Sequence, residues 1–211
     1  MSKSLYSLIL SDEVIRRIDL TAEKVGTSRS NLIDHVLADY VSYTTPEMRI
    51  KRIFEQINDL LSGSKLELNK DQSGKTMSMR TSLEYKYRPT ITYSVELYRQ
   101  NTASIGELKV LYRIHSQELL YKINRFFELM IDIEKKYLSD AAGYTISDGK
   151  FVRTFVIPNG QLYSQDEIAR AISDYIRIFD GMLKKYLSDR YDTIEQMEYD
   201  YKIYLSKSIL I

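Results

Sequence analysis

The sequence predicts an α+β protein, in which a small N-terminal unit precedes an antiparallel sheet with helices on one face. Three observations lead to this prediction. Apolar residues recur at helical spacing over residues 12–61, alternate with polar residues over residues 75–115, and return to helical spacing in two long segments after residue 116. Strands grouped in one part of a chain and helices in another are typical of α+β folds.

The composition excludes several classes of protein. The chain has 211 residues, of which 44% are hydrophobic, and a formal net charge of +1, so it is expected to fold and is not a polyelectrolyte. It contains no cysteine, which excludes disulfides and thiolate metal sites and favours a cytoplasmic location. No segment is typical of a signal peptide or long and apolar enough to span a bilayer, so no membrane partner is expected.

Residues 4–43 predict a short strand, a helix, a tight turn and a second helix. The strand, SLYSLIL, alternates Leu8 and Leu10 with Ser7 and Ser11. A two-stranded ribbon is marginal without further packing, so this single short strand implies a partner strand from a second chain.

Two helices follow, with clear signals at their ends. Ser11 is placed as an N-cap, and Asp12 and Glu13 put negative charge in the first turn, where the helix dipole favours it. Gly26 suits a left-handed C-terminal residue, and Ser28 can cap the second helix. The apolar positions are Val14, Ile15, Ile18, Ala22 and Val25 in the first helix, and Leu32, Ile33, Val36, Leu37 and Tyr40 in the second.

This order of strand, Ser-Asp-Glu helix start, Gly-x-Ser-Arg-Ser turn and Leu-Ile helix resembles the ribbon-helix-helix family of DNA-binding dimers, the MetJ/Arc/CopG type, over about the first fifth of the chain. The resemblance implies an intertwined homodimer whose paired strands enter the major groove of double-stranded DNA. An ordinary helical hairpin in another core is the alternative. The resemblance implies base-facing positions at Lys3, Leu5, Ser7 and Ile9, and phosphate contacts from Ser28, Arg29 and Ser30.

The base-facing positions depart from the family pattern, which usually has charged or amide side chains there. Leu5 and Ile9 can contact a thymine methyl group but cannot pair with a guanine or adenine edge. Residues 1–45 contain five basic and six acidic residues, a net charge of −1, so this unit alone should bind DNA weakly. Either two dimers cooperate, or the remaining chain supplies positive charge, or DNA is not the main partner.

The predicted domains are a DNA-binding and dimerisation unit at residues 1–45, a linker helix and hinge loop at 46–74, and an α+β domain at 75–211. Pro46 is well placed to begin the linker helix, which is predicted to end near Leu61. The polar stretch from Ser62 to Gly74 is typical of a loop.

The α+β domain is predicted to begin with an antiparallel meander. Residues 77–87, 91–97 and 108–114 alternate in polarity, which indicates strands with one buried face. Residues 65–113 have a net charge of +4, which suggests a basic surface for nucleic acid or an acidic protein. A solvated sheet face is the alternative and is favoured. The candidate basic surface consists of Arg80, Lys86, Arg88, Lys109 and Arg113.

Residues 116–140 and 164–189 form an internal repeat, since both begin with Ser-Gln and end with Lys-Lys-Tyr-Leu-Ser-Asp. Each predicts a capped amphipathic helix, and a hairpin is predicted at 143–157, turning at Asp148 and Gly149. A duplicated sheet-plus-helix unit is the simplest account, and chance similarity of two amphipathic helices is the alternative. A last helix is predicted at about 191–208.

The sequence shows no catalytic constellation, and neither an enzyme nor a cofactor is expected. His35 and His115 are the only histidines, too few for a usual transition-metal site without cysteine. The leading hypothesis is a homodimeric transcriptional repressor or autoregulator, with a C-terminal effector or oligomerisation domain. The alternative is a protein-binding inhibitor or accessory factor of a mobile element, acting on a nuclease or conjugation enzyme. A small-molecule sensor is a third reading, although no pocket is identifiable from the sequence.

Overall fold

The computed structural model describes residues 5–70, 76–99, 104–138, 142–157 and 161–211. The chain divides into two compact units, Met1–Met48 and Arg49–Ile211. Together the described residues form six helices and a six-stranded antiparallel sheet, which confirms the predicted α+β class.

The N-terminal unit contains both predicted helices, α1 (Asp12–Lys24) and α2 (Arg29–Tyr40). Gly26 joins them with φ +68°, the left-handed conformation that glycine adopts without steric cost. The Ser28 hydroxyl accepts a hydrogen bond from the Asn31 N–H at 3.3 Å, so Ser28 caps α2 as predicted. Ser11 precedes α1 with extended backbone angles, but its side chain makes no capping hydrogen bond.

The predicted N-terminal strand is not formed in the single chain. Residues 5–11 have no strand hydrogen bonding, and no other described residue of this unit lies in a strand. A strand needs a second strand to satisfy its N–H and C=O groups. The ribbon-helix-helix arrangement is therefore not confirmed, whereas the helix–turn–helix part of it is present.

The third helix, α3 (Pro46–Leu61), has the predicted limits. Its apolar face is buried in the core of the C-terminal unit, through Ile50, Ile53, Phe54, Ile57 and Leu61. The helix is thus a structural part of that core over most of its length.

The C-terminal unit is built on the six-stranded sheet, in the order β1-β2-β3-β4-β6-β5 with antiparallel pairing throughout. The strands are β1 (Glu67–Lys70), β2 (Thr76–Ser82), β3 (Thr90–Leu97), β4 (Ser104–Tyr112), β5 (Tyr144–Ser147) and β6 (Lys150–Val156). Strand β1 lies in the segment that the sequence assigned to a hinge loop. Its four residues, ELNK, are too few and too polar to show a strand pattern, and pairing with β2 stabilises them.

Strand β2 ends at Ser82, and the predicted continuation to Tyr87 is wrong. The following residues form a loop in which Tyr87 and Arg88 have positive φ angles, +65° and +42°. Tyr85, Lys86 and Tyr87 alternate in polarity as the residues of a strand do. The chain nevertheless turns here, because β3 pairs antiparallel with β2.

Three helices cover one face of the sheet: α4 (Gln117–Glu134), α5 (Gln165–Leu187) and α6 (Ile194–Leu205). Phe127 of α4, Phe151 of β6 and Phe179 of α5 stack in nearly parallel planes, with centroids 4.6 Å apart for Phe127 and Phe151 and 5.7 Å for Phe151 and Phe179. The inward residues of the strands are buried, whereas the opposite face is polar and partly exposed. The predicted one-sided packing is therefore present.

The internal repeat corresponds to α4 and α5. Both helices have a serine N-cap, since Ser116 accepts from the Leu119 N–H and Ser164 from the Glu167 N–H. In the described part of the chain, four strands precede α4, whereas the β5–β6 hairpin alone lies between α4 and α5, and all six strands share one sheet. The similarity is thus between two helices of one layer, without matching sheets before them.

A buried ion pair joins α4 to β6. Arg153 Nε lies 3.0 Å from Glu134 Oε2, and both side chains are 1% exposed. Glu134 also accepts hydrogen bonds from the hydroxyls of Tyr144 at 2.8 Å and Tyr175 at 2.7 Å. The guanidinium lies over the Tyr175 ring, and its Nη2 donates to the Ile211 main-chain oxygen. These partners offset much of the cost of burying two charges.

Gly106 occupies a position in β4 where no side chain fits. A Cβ atom there would collide with the main-chain oxygen of Glu96, next to a register irregularity between β4 and β6. We expect Gly106→Ala to lower the free energy of unfolding by about 1–3 kcal/mol, because the β3–β4 ladder must shift. Chemical denaturation followed by circular dichroism measures the change.

Gly181→Ala is the matched control. Gly181 lies inside α5 with no atom near its Cβ position, so alanine should raise stability by about 0.5–1 kcal/mol through helix propensity. Equal effects of the two substitutions would contradict the close approach of the backbones at Gly106.

Candidate functional site

The exposed fraction of the side chains varies along residues 5–10, the segment before α1. Leu5 and Ile9 are fully exposed, at 99% and 103% of their accessible surface. Leu8 and Leu10 are less exposed, at 60% and 37%, and Ser7 is exposed. Tyr6, which the ribbon would turn inward with Leu8 and Leu10, is 83% exposed, so in the single chain all of residues 5–10 are open to solvent and their outward and inward assignment stays a prediction. Lys3 lies outside the described residues.

The N-terminal unit buries very little apolar surface. Among residues 5–48, Ala22 and Ala38 are the buried hydrophobic side chains. A unit of this size with so small a core is marginal on its own, and contiguous exposed apolar surface marks an interaction site. The large exposed hydrophobic residues of this unit are Leu5, Tyr6, Leu8, Ile9, Leu10, Val14, Leu20, Val25, Val36, Leu37, Tyr40, Val41 and Tyr43.

The start of α2 holds the candidate phosphate-binding residues Ser28, Arg29 and Ser30. Arg29 is paired with Asp19 of α1 through two hydrogen bonds, Nε to Oδ1 and Nη2 to Oδ2, each 2.6 Å. This bidentate contact raises the pKa of Arg29 and lowers the pKa of the Asp19 carboxyl. Helical periodicity does not predict this pair, because the partners are ten residues apart on different helices.

The other arginines of α1 are also paired. Arg16 and Arg17 lie 2.8 Å and 2.9 Å from the carboxylate of Glu13. Both pairs are solvent-exposed and contribute little to stability. Their positive charge is nevertheless balanced locally, in keeping with the small net charge of this unit.

The candidate basic surface of the C-terminal unit is not one continuous patch. Lys109 lies 2.7 Å from Glu96 and 2.8 Å from Glu107, and these hydrogen bonds raise its pKa. Its charge is therefore neutralised within the sheet. Lys86 and Arg88 belong to the β2–β3 loop and do not share a strand face with Arg80, which corrects the sequence-based placement. Lys86 instead lies over the Tyr87 ring, 5.3 Å from its centroid.

Arg80 and Arg113 do come together, at the end of the sheet where β4 leads into α4. Both border an open cleft of about 670 Å³ on the polar face of the sheet. The cleft also includes Asp148. Burial raises the pKa of the Tyr112 hydroxyl, and the negative charge of Asp148 raises it further. The residues around the cleft are Arg80, Thr90, Thr92, Leu111, Tyr112, Arg113, Ile114, His115, Leu120, Asp148 and Gly149.

The described part of the chain contains no group of three or more histidine and acidic side chains arranged to hold a metal ion. None of its helices is both long and apolar enough to cross a membrane. Comparisons with models of known protein families, with curated proteins and with solved structures found no significant match.

Proposed function

We propose that the protein is a homodimeric DNA-binding transcriptional regulator. In this proposal the N-terminal units form the dimer and contact DNA, and the C-terminal α+β domain binds an effector or promotes further assembly. The exposed, largely apolar segment at residues 5–10, within a unit that buries few hydrophobic side chains, is the observation that carries the proposal.

A second copy of the chain is the partner that best suits this segment. Two copies of residues 5–10 can pair as an antiparallel ribbon, which would satisfy their main-chain N–H and C=O groups. In such a ribbon Tyr6, Leu8 and Leu10 face the helices and lose the exposure they have in the single chain, which is 83%, 60% and 37%. Burial of an exposed leucine stabilises by about 1.5–3 kcal/mol, so four such residues in a dimer form a substantial interface.

The outward side of this ribbon would contact the bases. Leu5 and Ile9 can pack on thymine methyl groups, and the Ser7 hydroxyl can form hydrogen bonds with base edges. Phosphate would be bound at the start of α2, where the N–H groups of Arg29 and Ser30 have no acceptor within the helix. Asp19 holds Arg29 close to these N–H groups, and a DNA phosphate would compete with Asp19 for the guanidinium. The regulator would act by occupying a promoter.

One observation favours a second candidate function. The arginines of α1 and α2 are paired with acidic residues, so the N-terminal unit presents little free positive charge for DNA. The protein would then be an inhibitor or accessory factor of a mobile element, whose C-terminal domain binds a protein such as a nuclease or conjugation enzyme. The N-terminal unit would serve dimerisation or autoregulation.

The paired substitutions Leu8→Ser/Leu10→Ser and Leu5→Ser/Ile9→Ser separate assembly from DNA contact. The first removes apolar side chains from the proposed interface, and we expect the dimer dissociation constant to rise at least a hundredfold. The second changes only the outward side, so the dimer should remain while DNA binding weakens at least tenfold. Analytical ultracentrifugation measures assembly, and a mobility shift with DNA from upstream of the protein's own gene measures binding.

A wild-type protein that is monomeric at micromolar concentration would contradict the proposed dimer. An outward variant that keeps full DNA affinity would remove the base-facing assignment of Leu5 and Ile9. A stable dimer that shows no DNA binding at moderate salt would support the second candidate function.

Asp19→Asn tests the phosphate contact of Arg29. Removal of the competing carboxylate should free the guanidinium, so DNA affinity should rise and its salt dependence should become steeper by about one phosphate contact per protomer. Glu23→Gln on the same helix is the control, since it removes the same charge without an ion pair among the described residues. In an Arg29→Ala background the two variants should have equal effects. A larger effect of Asp19→Asn in that background would show that Arg29 does not carry it.

A further inference from the structure

The cleft at the end of the sheet brings together side chains from four separate segments. Arg80 is on β2, Thr92 on β3, Arg113 follows β4, and Asp148 is in the β5–β6 turn. Arg80 is paired in register with Thr92, and Thr92 with Leu111, so the strands of Arg80 and Arg113 are about 10 Å apart at the usual spacing. Two arginine side chains can reach a common ligand over that distance.

The two guanidinium groups are available to a ligand. In the described part of the chain, no ion pair or side-chain hydrogen bond involves Arg80 or Arg113, and both residues are exposed. Lys109 on the same sheet face is different, because two glutamates neutralise it. Glu67 on β1 is the register neighbour of Arg80 but forms no ion pair with it, so the described arginines of this face that have no ion pair lie at the cleft. Arginine is well suited to phosphate, since its planar N–H groups match the phosphate oxygens in pairs.

The remaining polar groups of the cleft indicate what else the ligand carries. The hydroxyls of Thr90 and Thr92 can donate to anionic oxygens or accept from ligand hydroxyls. A carboxylate such as that of Asp148 accepts hydrogen bonds and carries negative charge, so it is suited to hydroxyl groups and unsuited to a second phosphate beside it. Leu111 and Ile114 supply apolar contact.

The distribution of charge favours a compact ligand over a polynucleotide. A single strand needs a groove in which positive charge follows successive phosphates, usually with aromatic platforms for the bases. Here Lys86 and Arg88 lie on a loop and Lys109 is neutralised. Among the described residues of this face, the remaining positive charge is at one end of the sheet, at Arg80, Arg113 and the neighbouring Lys150, and is not continued along the strands. A volume of about 670 Å³ is in the range of small-molecule sites.

We propose that this cleft binds a small phosphorylated molecule that carries hydroxyl groups, of the sugar-phosphate or nucleotide class. Arg80 and Arg113 bind the phosphate, the threonine hydroxyls orient it, and Asp148 accepts hydrogen bonds from the ligand hydroxyls. The site lies wholly within the C-terminal unit and does not depend on whether the N-terminal unit binds DNA.

Isothermal titration of the full-length protein with ribose 5-phosphate, inorganic phosphate and citrate tests this proposal. We expect saturable binding of ribose 5-phosphate, weaker binding of inorganic phosphate, and no saturable binding of citrate at equal ionic strength. Arg80→Gln and Arg113→Gln should each weaken ribose 5-phosphate binding at least tenfold. Arg88→Gln is the control, because it removes the same charge from a neighbouring loop outside the cleft, and it should change binding less than twofold.

Asp148→Asn distinguishes binding of the ligand hydroxyls from binding of the phosphate. This substitution should weaken the binding of ribose 5-phosphate. The binding of inorganic phosphate should be unchanged or slightly tighter, because a negative charge near the phosphate is removed. The proposal is overturned if neither phosphate probe binds saturably at millimolar concentration, if Arg88→Gln is as damaging as Arg80→Gln, or if citrate binds as tightly as ribose 5-phosphate. Circular dichroism melting confirms that each variant is folded, as expected for substitutions at exposed positions.

Discussion

The stacked rings of Phe127, Phe151 and Phe179 hold the C-terminal unit together, because they join α4, β6 and α5 across one face of the sheet. This packing buries that face of the sheet in the core. The Arg153–Glu134 ion pair, with the hydroxyls of Tyr144 and Tyr175, also joins α4, β6 and α5 inside the core. The other face remains polar and open. The cleft between Arg80 and Arg113 exists because the strand ends and the start of α4 meet beside that open face.

The N-terminal unit, in contrast to the C-terminal unit, buries few of its hydrophobic side chains. It has two well-formed helices, but among residues 5–48 the buried hydrophobic side chains are two alanines, and most of its leucines and valines are exposed. Hydrophobic burial is the main favourable term in folding, so in the proposed dimer this unit would gain stability from its partner. Pairing of residues 5–10 between two copies would supply both the missing core and the missing strand, and would make assembly a condition of function.

Local signals predicted the helices well. The limits of α3, the serine caps of α2, α4 and α5 and the inward face of β3 follow from short-range patterns that need no knowledge of the tertiary fold. The sequence does not predict strand β1, because this strand is stabilised by pairing with β2. It predicts too long a β2, because Tyr85 and Tyr87 alternate with charged residues in what is a turn. The Asp19–Arg29 pair, the neutralised Lys109 and the cleft depend on contacts between distant segments, which periodicity does not encode.

Amide hydrogen exchange of residues 5–10 at several protein concentrations tests whether two copies of the chain pair as a ribbon. An unpaired segment exchanges rapidly, whereas a hydrogen-bonded ribbon is protected in proportion to the stability of the dimer. A ribbon formed by two copies should give alternating protection along this segment at high concentration, and the protection should be lost on dilution as the dimer dissociates. Rapid exchange at every concentration, while α4 and α5 remain protected, would contradict a ribbon formed by two copies of the chain.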